Sequence, residues 1–446
     1  NSEIHLTPPT TPNSREKRPN SNKKGRSQLS PAFRSSSSDP RFPLTPRTSP
    51  YNQISPKCPQ LTSSAKTLNS HKLDADFREN FVLGDELGCG GFGFVVRATR
   101  IKDGLSCAVK FIYKEKIPSH GWVQDDYRRG EEGSNYNKRA FGGNKMIPLE
   151  AYVLKKINHR GVVRFVDLYE DSKLIYLVME HHGTPWAVVE KENKGKKISP
   201  SNLGGKVPTI SSLRKSPLQP STNEVINTTS PKSVNFNESI LYAPIPPITR
   251  RSSCDLFECI ELHSRLPEKH AKFIFAQLVD IVGNLHYNGF VHRDIKDENI
   301  VVDQNFRVKL IDFGSALTFD FSREISPVKK FYGTMNFASP EIAVGGFYHP
   351  IAAEVWSLGV LLSILVCGES VFRDLDSIKA YNPARPKFPI SESCMDLISR
   401  CLALAPEKRW NCFKIRSHPW LADCGWDWSK FPYDASTESV TRVRKF

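Results

Sequence analysis

Long hydrophobic runs are missing from this chain. The longest extends from about Val355 to Cys367, short of the ~20 apolar residues that a membrane span needs. No span is therefore expected. No secretory leader and no internal repeat is visible, and the chain opens on Asn1 rather than Met, as a fragment with a further upstream domain would. Its ten cysteines lack the paired spacing of a zinc module. Cys89, Cys107, Cys259 and Cys367 lie in apolar runs, as buried thiols do. A reducing compartment, cytoplasmic or nuclear, is the expected location. Basic charge is also missing where a nucleic-acid-binding domain would need it. The net charge is +15, but residues 1–75 carry 12 Lys/Arg against 4 Asp/Glu, and residues 184–253 carry 10 against 4. The remainder is close to neutral, so nucleic acid is not an expected partner.

The same two stretches hold 11 and 9 of the 32 prolines. Segments of this composition bury too little apolar surface to offset their ordering entropy and are expected to be disordered. The first contains Thr7-Pro8, Thr11-Pro12, Ser30-Pro31, Thr45-Pro46, Ser49-Pro50 and Ser55-Pro56, which makes upstream proline-directed kinases expected partners. Order is expected from Phe77. Phe81 to Leu83, Phe94 to Thr99 and Cys107 to Ile112 read as strands, with Asp103-Gly104 as a hairpin turn between the last two. Helical spacing follows over Ile147–Ile157, then strands over Val162–Leu168 and Leu174–Met179. Beyond residue 254 the pattern is helical over Asp255–His263, Glu268–Tyr287, Ala352–Cys367 and Cys394–Leu404, interrupted by a β-rich stretch at Ile300–Ile311. The fold class is α+β: a small antiparallel β lobe with one main helix, then a larger helical lobe.

Chemistry concentrates at three places. Gly88-Cys-Gly90-Gly91-Phe-Gly93-Phe-Val95 is a glycine-rich turn between strands. No helix follows it, which argues against a dinucleotide-binding unit. Glycines there let backbone N–H groups approach phosphates. Lys110, on the next strand, would point at the same phosphates, and a buried lysine needs a carboxylate, for which Glu150 on the following helix is placed. The third place is His292-Arg293-Asp294-Ile-Lys296-Asp-Glu298-Asn299, with Asp312-Phe313-Gly314 beginning 18 residues after Asp294. Two carboxylates and an amide oxygen suit a hard cation such as Mg²⁺.

Taken together, these motifs resemble those of eukaryotic Ser/Thr protein kinases over about Phe81 to Leu421. The resemblance implies a bilobal fold, ATP and Mg as cofactors, and γ-phosphoryl transfer to Ser/Thr hydroxyls of protein substrates. It implies Asp294 as catalytic base, with Lys296, Lys110 and Glu150 beside it, and Asn299 and Asp312 as metal ligands. Leu87, Gly88, Gly90, Gly91, Gly93, Val95, Ala108, Met179, Glu180 and His182 would surround the nucleotide. Ser339-Pro340-Glu341 matches a family element, with Arg409 as the partner of Glu341. Glu354 stands where the family usually has Asp, which leaves that helix's contact with the catalytic loop open. Lys110-Phe-Ile-Tyr-Lys-Glu-Lys116 and Lys309-Leu-Ile-Asp-Phe-Gly-Ser315 resemble PAS-domain kinases, then Pim kinases, in the calcium/calmodulin-kinase-like group.

The expected organisation is a tail over 1–76 and a kinase domain over 77–421, followed by a tail over 422–446. Within the domain, the small lobe covers 77–183, an insertion 184–253 and the large lobe 254–421. A second insertion occupies 115–145. Asp255, Glu298 and Thr334 are the expected substrate-binding residues, the two acids selecting arginine at −3 of the substrate. Ser253, after Arg250-Arg251, is an expected self-modification site. Where the family often carries a phosphorylated hydroxyl, three residues before Gly333-Thr334, this chain has Lys330. An activation segment ordered without phosphate is therefore expected. A pseudokinase scaffold is the alternative, disfavoured because the lysine, the base and both metal ligands are all present.

Overall fold

The computed structural model describes residues 62–125, 145–185, 253–320 and 325–430. Two short helices come first, α1 (Ser63–Asn69) and α2 (Ala75–Asn80). Strands β1 (Phe81–Gly90), β2 (Gly93–Arg100) and β3 (Ser106–Tyr113) follow, then β4 (Trp122–Gln124), β5 (Met146–Pro148) and helix α3 (Leu149–Lys156). Strands β6 (Phe165–Glu170) and β7 (Leu174–Glu180) complete an antiparallel sheet of order β1-β2-β3-β7-β6. Period-two alternation decides which residues of β3 face which way. Cys107, Val109 and Phe111 face outward, while Ala108 and Ile112 join the main core, so Lys110 shares their inner face.

The large lobe begins with α4 (Leu256–His263) and α5 (Glu268–Tyr287). The short strands β8 (Phe290–Val291), β9 (Ile300–Val302), β10 (Val308–Leu310) and β11 (Leu317–Thr318) carry the loops between them. Helices α6 (Pro340–Ala343), α7 (Pro350–Cys367), α8 (Leu375–Lys379), α9 (Glu392–Cys401) and α10 (Cys412–Arg416) follow. By length and composition α7 could cross a membrane, but 94% of it is buried inside the lobe. A helix apolar on every face is a core helix in such a setting. Among the described residues, seven cysteines are buried, Cys254 is half-buried and Cys89 is exposed.

Two expected boundaries are corrected. Ordered structure is already present before Phe77: Ala65, Leu68 and Leu73 are buried with Phe77 in the core on the outer face of the sheet. His71 Nε2 lies 2.6 Å from Asp171 Oδ2, and Asp74 N–H donates to Tyr176 Oη at 3.3 Å, which ties this segment to β7. At the other end, residues 422–430 are not simply tail. The buried Trp426 donates its indole N–H to Asp280 Oδ2 at 3.0 Å, and the Arg160 guanidinium covers its ring at 3.7 Å. The insertion at 115–145 closes on itself where it is described: β4 and β5 pair antiparallel, and Lys155 holds Asp125 at 2.7 Å.

Candidate active site

The glycine-rich turn is the tip of the β1–β2 hairpin, which pairs out to Gly90 opposite Gly93. A Cβ on Gly88, Gly90 or Gly91 would meet nothing within 4 Å, so the loop is open for a phosphate to approach its backbone. Gly93 is glycine for another reason. A Cβ there would lie 1.8 Å from the Phe111 carbonyl oxygen, so the close approach of β2 to β3 requires it. Leu87 and Val95 pack half-buried against the main core beneath the loop, and Val95 sits opposite Lys110.

The Lys110 ammonium donates to Glu150 Oε1 and Oε2 at 2.9 and 2.8 Å and to Asp312 Oδ1 at 2.8 Å. Burial pushes the ammonium towards neutrality, but the two carboxylates outweigh it and hold its pKa above the ordinary value. Burial likewise opposes ionisation of Asp312, yet Lys110 brings that carboxyl down to about 2. Asp312 has φ of +63°, in the left-handed region, and its carboxylate also accepts from Gly314 N–H at 3.3 Å. Three charges contributed by β3, α3 and the β10–β11 loop therefore meet at one point.

Asp294 lies on the loop between β8 and β9, and its carboxylate is fully oriented. Oδ1 accepts from Thr334 N–H and from Thr334 Oγ1, each at 2.8 Å, and Oδ2 accepts from Asn299 Nδ2 at 2.9 Å. Asn299 Nδ2 also donates to the Asp294 carbonyl at 2.8 Å, which leaves the amide oxygen as its ligand atom. The Lys296 ammonium is 3.9 Å from Asp294 Oδ2 and 2.8 Å from Glu298 Oε2. Burial lowers its pKa, but the bond to Glu298 and the charge of Asp294 raise it overall.

The departure at Glu354 is resolved. Its Oε1 accepts from Arg293 N–H at 2.8 Å and its Oε2 meets His286 Nε2 at 2.6 Å, so the longer side chain reaches both the catalytic loop and α5. Arg293 has φ of +65°, and its guanidinium donates to the carbonyls of Ser315 at 2.6 Å and Ala316 at 3.0 Å. Arg409 grips Glu341 with two bonds of 2.7 Å, the fork geometry that suits a guanidinium.

At the far end of the cleft, Met179 pairs with Ala108 across β7 and β3, and both are buried. The side chains of Glu180 and His182 bond to other parts of the chain. Glu180 Oε1 accepts from Arg164 N–H at 2.9 Å and Lys309 Nζ at 2.5 Å, while His182 Nε2 bonds the Arg307 carbonyl at 3.1 Å. These side chains brace the connection between the lobes.

Asp255 has a structural role that the sequence did not show. It is the N-cap of α4, accepting from Glu258 N–H at 2.8 Å and from the Ser253 hydroxyl. Burial pushes its carboxyl up to about 6. The Ser253 hydroxyl is thus engaged, and a phosphate there would set a dianion beside this carboxylate. Glu298, paired with Lys296, has a side chain 56% exposed. Sequence reasoning missed His286, which lies 68 residues from Glu354 with no local motif to join them. Among the described residues no cluster of three His, Cys, Asp or Glu could hold a metal by itself. Asn299 and Asp312, the expected metal ligands, supply oxygen donors of the kind Mg²⁺ takes together with phosphates and water.

The protein kinase domain family matches residues 81–202 and 248–421, more than half of the chain, and the chain belongs to that family. Similar proteins include the PAS domain-containing serine/threonine-protein kinase of Mus musculus, 29% identical over 376 residues, covering 84% of this chain and 20% of that protein. The serine/threonine-protein kinase PSK2 of Saccharomyces cerevisiae is 27% identical, with 82% and 26% covered. The serine/threonine-protein kinase pim-2 of Danio rerio is 28% identical, with 79% and 87% covered. The chain thus spans about a fifth to a quarter of the first two relatives and most of the third. A protein kinase domain implies ATP and, typically, Mg²⁺.

Proposed function

We propose that the chain transfers the γ-phosphoryl group of ATP to Ser and Thr hydroxyls of protein substrates. What supports this is the simultaneous seating of Lys110 between Glu150 and Asp312 and of Asp294 between Thr334 and Asn299. Lys110 would orient the nucleotide phosphates beneath the open glycine turn, and Asn299 and Asp312 would hold Mg²⁺. ATP supplies the phosphoryl group and the metal supplies charge neutralisation. Asp294 accepts the proton of the acceptor hydroxyl, with one carboxylate oxygen fixed by Thr334 and the other by Asn299. Lys296, beside that carboxylate, adds positive charge where negative charge develops. Catalysis of this kind is positioning and electrostatic stabilisation.

For substrate choice, the exposed Glu298 and the capped Asp255 favour arginine at −3. Each charge-assisted pair contributes ~1.5–3 kcal/mol when well formed, which corresponds to about tenfold or more in kcat/KM. The Ser/Thr-Pro pairs of the first 61 residues lie outside the described residues, and we propose them as sites for proline-directed kinases. A cytoplasmic or nuclear location belongs to the same proposal. Phosphorylation of a degenerate peptide library by the wild type and by Asp294→Asn tests the whole reading. Asp294→Asn is expected to lose ~100-fold or more in rate, and the wild-type profile should peak for Arg at −3. Equal rates for the two proteins would reject the assignment of Asp294. A flat profile at −3 would reject the substrate preference alone.

A further inference from the structure

Tyr332 stands two residues before Thr334 and has no part in the chemistry above. Its backbone is fixed: its carbonyl accepts from Ser315 Oγ at 3.0 Å, and a Cβ on the following Gly333 would lie 2.2 Å from the Arg293 carbonyl oxygen. The side chain is 39% exposed, yet it meets groups from two distant parts of the chain. The Arg293 guanidinium lies 5.0 Å from its ring centroid, and the His120 ring lies 4.5 Å away at 35°. With Nε and Nη2 donating to the Ser315 and Ala316 carbonyls, the Arg293 guanidinium is held over the aromatic face.

His120 belongs to the turn Ser119–Gly121, which leads directly into β4. Strand β4 pairs with β5 from Trp122 opposite Pro148 to Gln124 opposite Met146. Strand β5 then enters α3 without a connecting residue, and Glu150 is the second residue of that helix. On its other side Tyr332 adjoins Gly333 and Thr334, which press on the Arg293 carbonyl and bond Asp294. One ring therefore lies between the loop that carries Asp294 and the turn that leads, through β4 and β5, into the helix that carries Glu150.

We propose that Tyr332 is a positioning residue that couples the seating of Asp294 to the Lys110–Glu150 pair through His120. The proposal rests on the kinase reading above and deepens it. The ring performs the coupling, and the hydroxyl is dispensable. Coupling of this kind is reciprocal: loosening the ring from either neighbour loosens both halves of the site.

The test uses the full chain as wild type, Tyr332→Ala, Tyr332→Phe, His120→Ala and the His120→Ala/Tyr332→Ala pair. Two readouts are needed: kcat with the KM values for peptide and for ATP, and amide hydrogen exchange over residues 145–156 without nucleotide. Tyr332→Ala should lower kcat/KM at least about tenfold, with lower kcat and higher KM for ATP, and should speed exchange through α3. Tyr332→Phe should stay within about twofold of wild type, and His120→Ala should add little to Tyr332→Ala. Unchanged exchange in Tyr332→Ala overturns the coupling, as do independent effects of the two alanine variants. A Phe variant as impaired as Ala overturns the role of the ring. If the wild type transfers no phosphate while Tyr332→Ala still speeds exchange, the kinase reading fails and the coupling stands.

Discussion

At Asp255 two demands on one carboxylate compete. It caps α4 as an acceptor, but burial holds its pKa at about 6, above the ~3.9 of a free aspartate. Folding therefore favours the protonated form. The stability from this residue is complete below pH ~3.9 and is lost as the pH rises through about 6. Asparagine caps a helix as well as aspartate does and carries no charge. Asp255→Asn should thus gain stability relative to wild type between pH 4 and pH 7.5, read from urea unfolding at ~25 °C. A gap that does not change with pH would show that burial does not penalise the charge. A substrate arginine beside Asp255 would favour the ionised form. The KM for an Arg −3 peptide should therefore fall as pH rises through about 6 in wild type and not in Asp255→Asn. Glu354 presents a different case, because it serves two buried partners. Glu354→Ala leaves the Arg293 N–H and His286 without it, and should cost ~3–5 kcal/mol in a denaturant titration with a matching fall in kcat. The catalytic residues were legible because their types and spacings coincide in short motifs. The bridge from Glu354 to His286 was not, since only the packing of α5 against α7 brings the two together.

Among the elements, α1 and α2 lie outside the matched family region yet form part of the small lobe's outer core. Phe77 is fully buried, stacks on Phe81 at 5.3 Å and meets Tyr169 and Tyr176 edge-on. Phe77→Ala should cost ~3–5 kcal/mol, the range for a large buried aromatic. A chain starting at Phe81 should melt lower and aggregate more than one starting at Thr62, as differential scanning and light scattering would show. Equal melting of the two would remove α1 and α2 from the lobe. Sequence patterning could not find this segment. A seven-residue helix with only Ser64, Ala65 and Leu68 buried has too few turns for a period to emerge, and its surroundings are rich in Ser, Thr and Pro. The three-residue strands β4 and β5 escaped for the same reason. The alternating β1–β3 and β6–β7 strands and the long helices α5 and α7 were legible, because each repeats its pattern over several residues.

In the molecule as a whole, the described residues 325–341 of the expected activation segment make contacts that involve no phosphate. Lys330 occupies the position where the resemblance would place a phosphorylated hydroxyl, Tyr348 Oη donates to its carbonyl at 3.1 Å, and Arg293 Nε and Nη2 donate to the Ser315 and Ala316 carbonyls. Phosphatase-treated enzyme should keep most of its activity, and substitution of the exposed Ser326 by alanine should change it little. A large loss in either assay would make this segment a phosphoswitch. The distribution of thiols has a practical consequence of its own. Burial raises the pKa of Cys259 and Cys401 to about 12, which removes the reactive thiolate. Cys89, by contrast, is exposed at the tip of the glycine turn. With Cys58 replaced by serine, a thiol-reactive dye should label Cys89 first, giving an optical gauge of whether the turn has closed over a nucleotide.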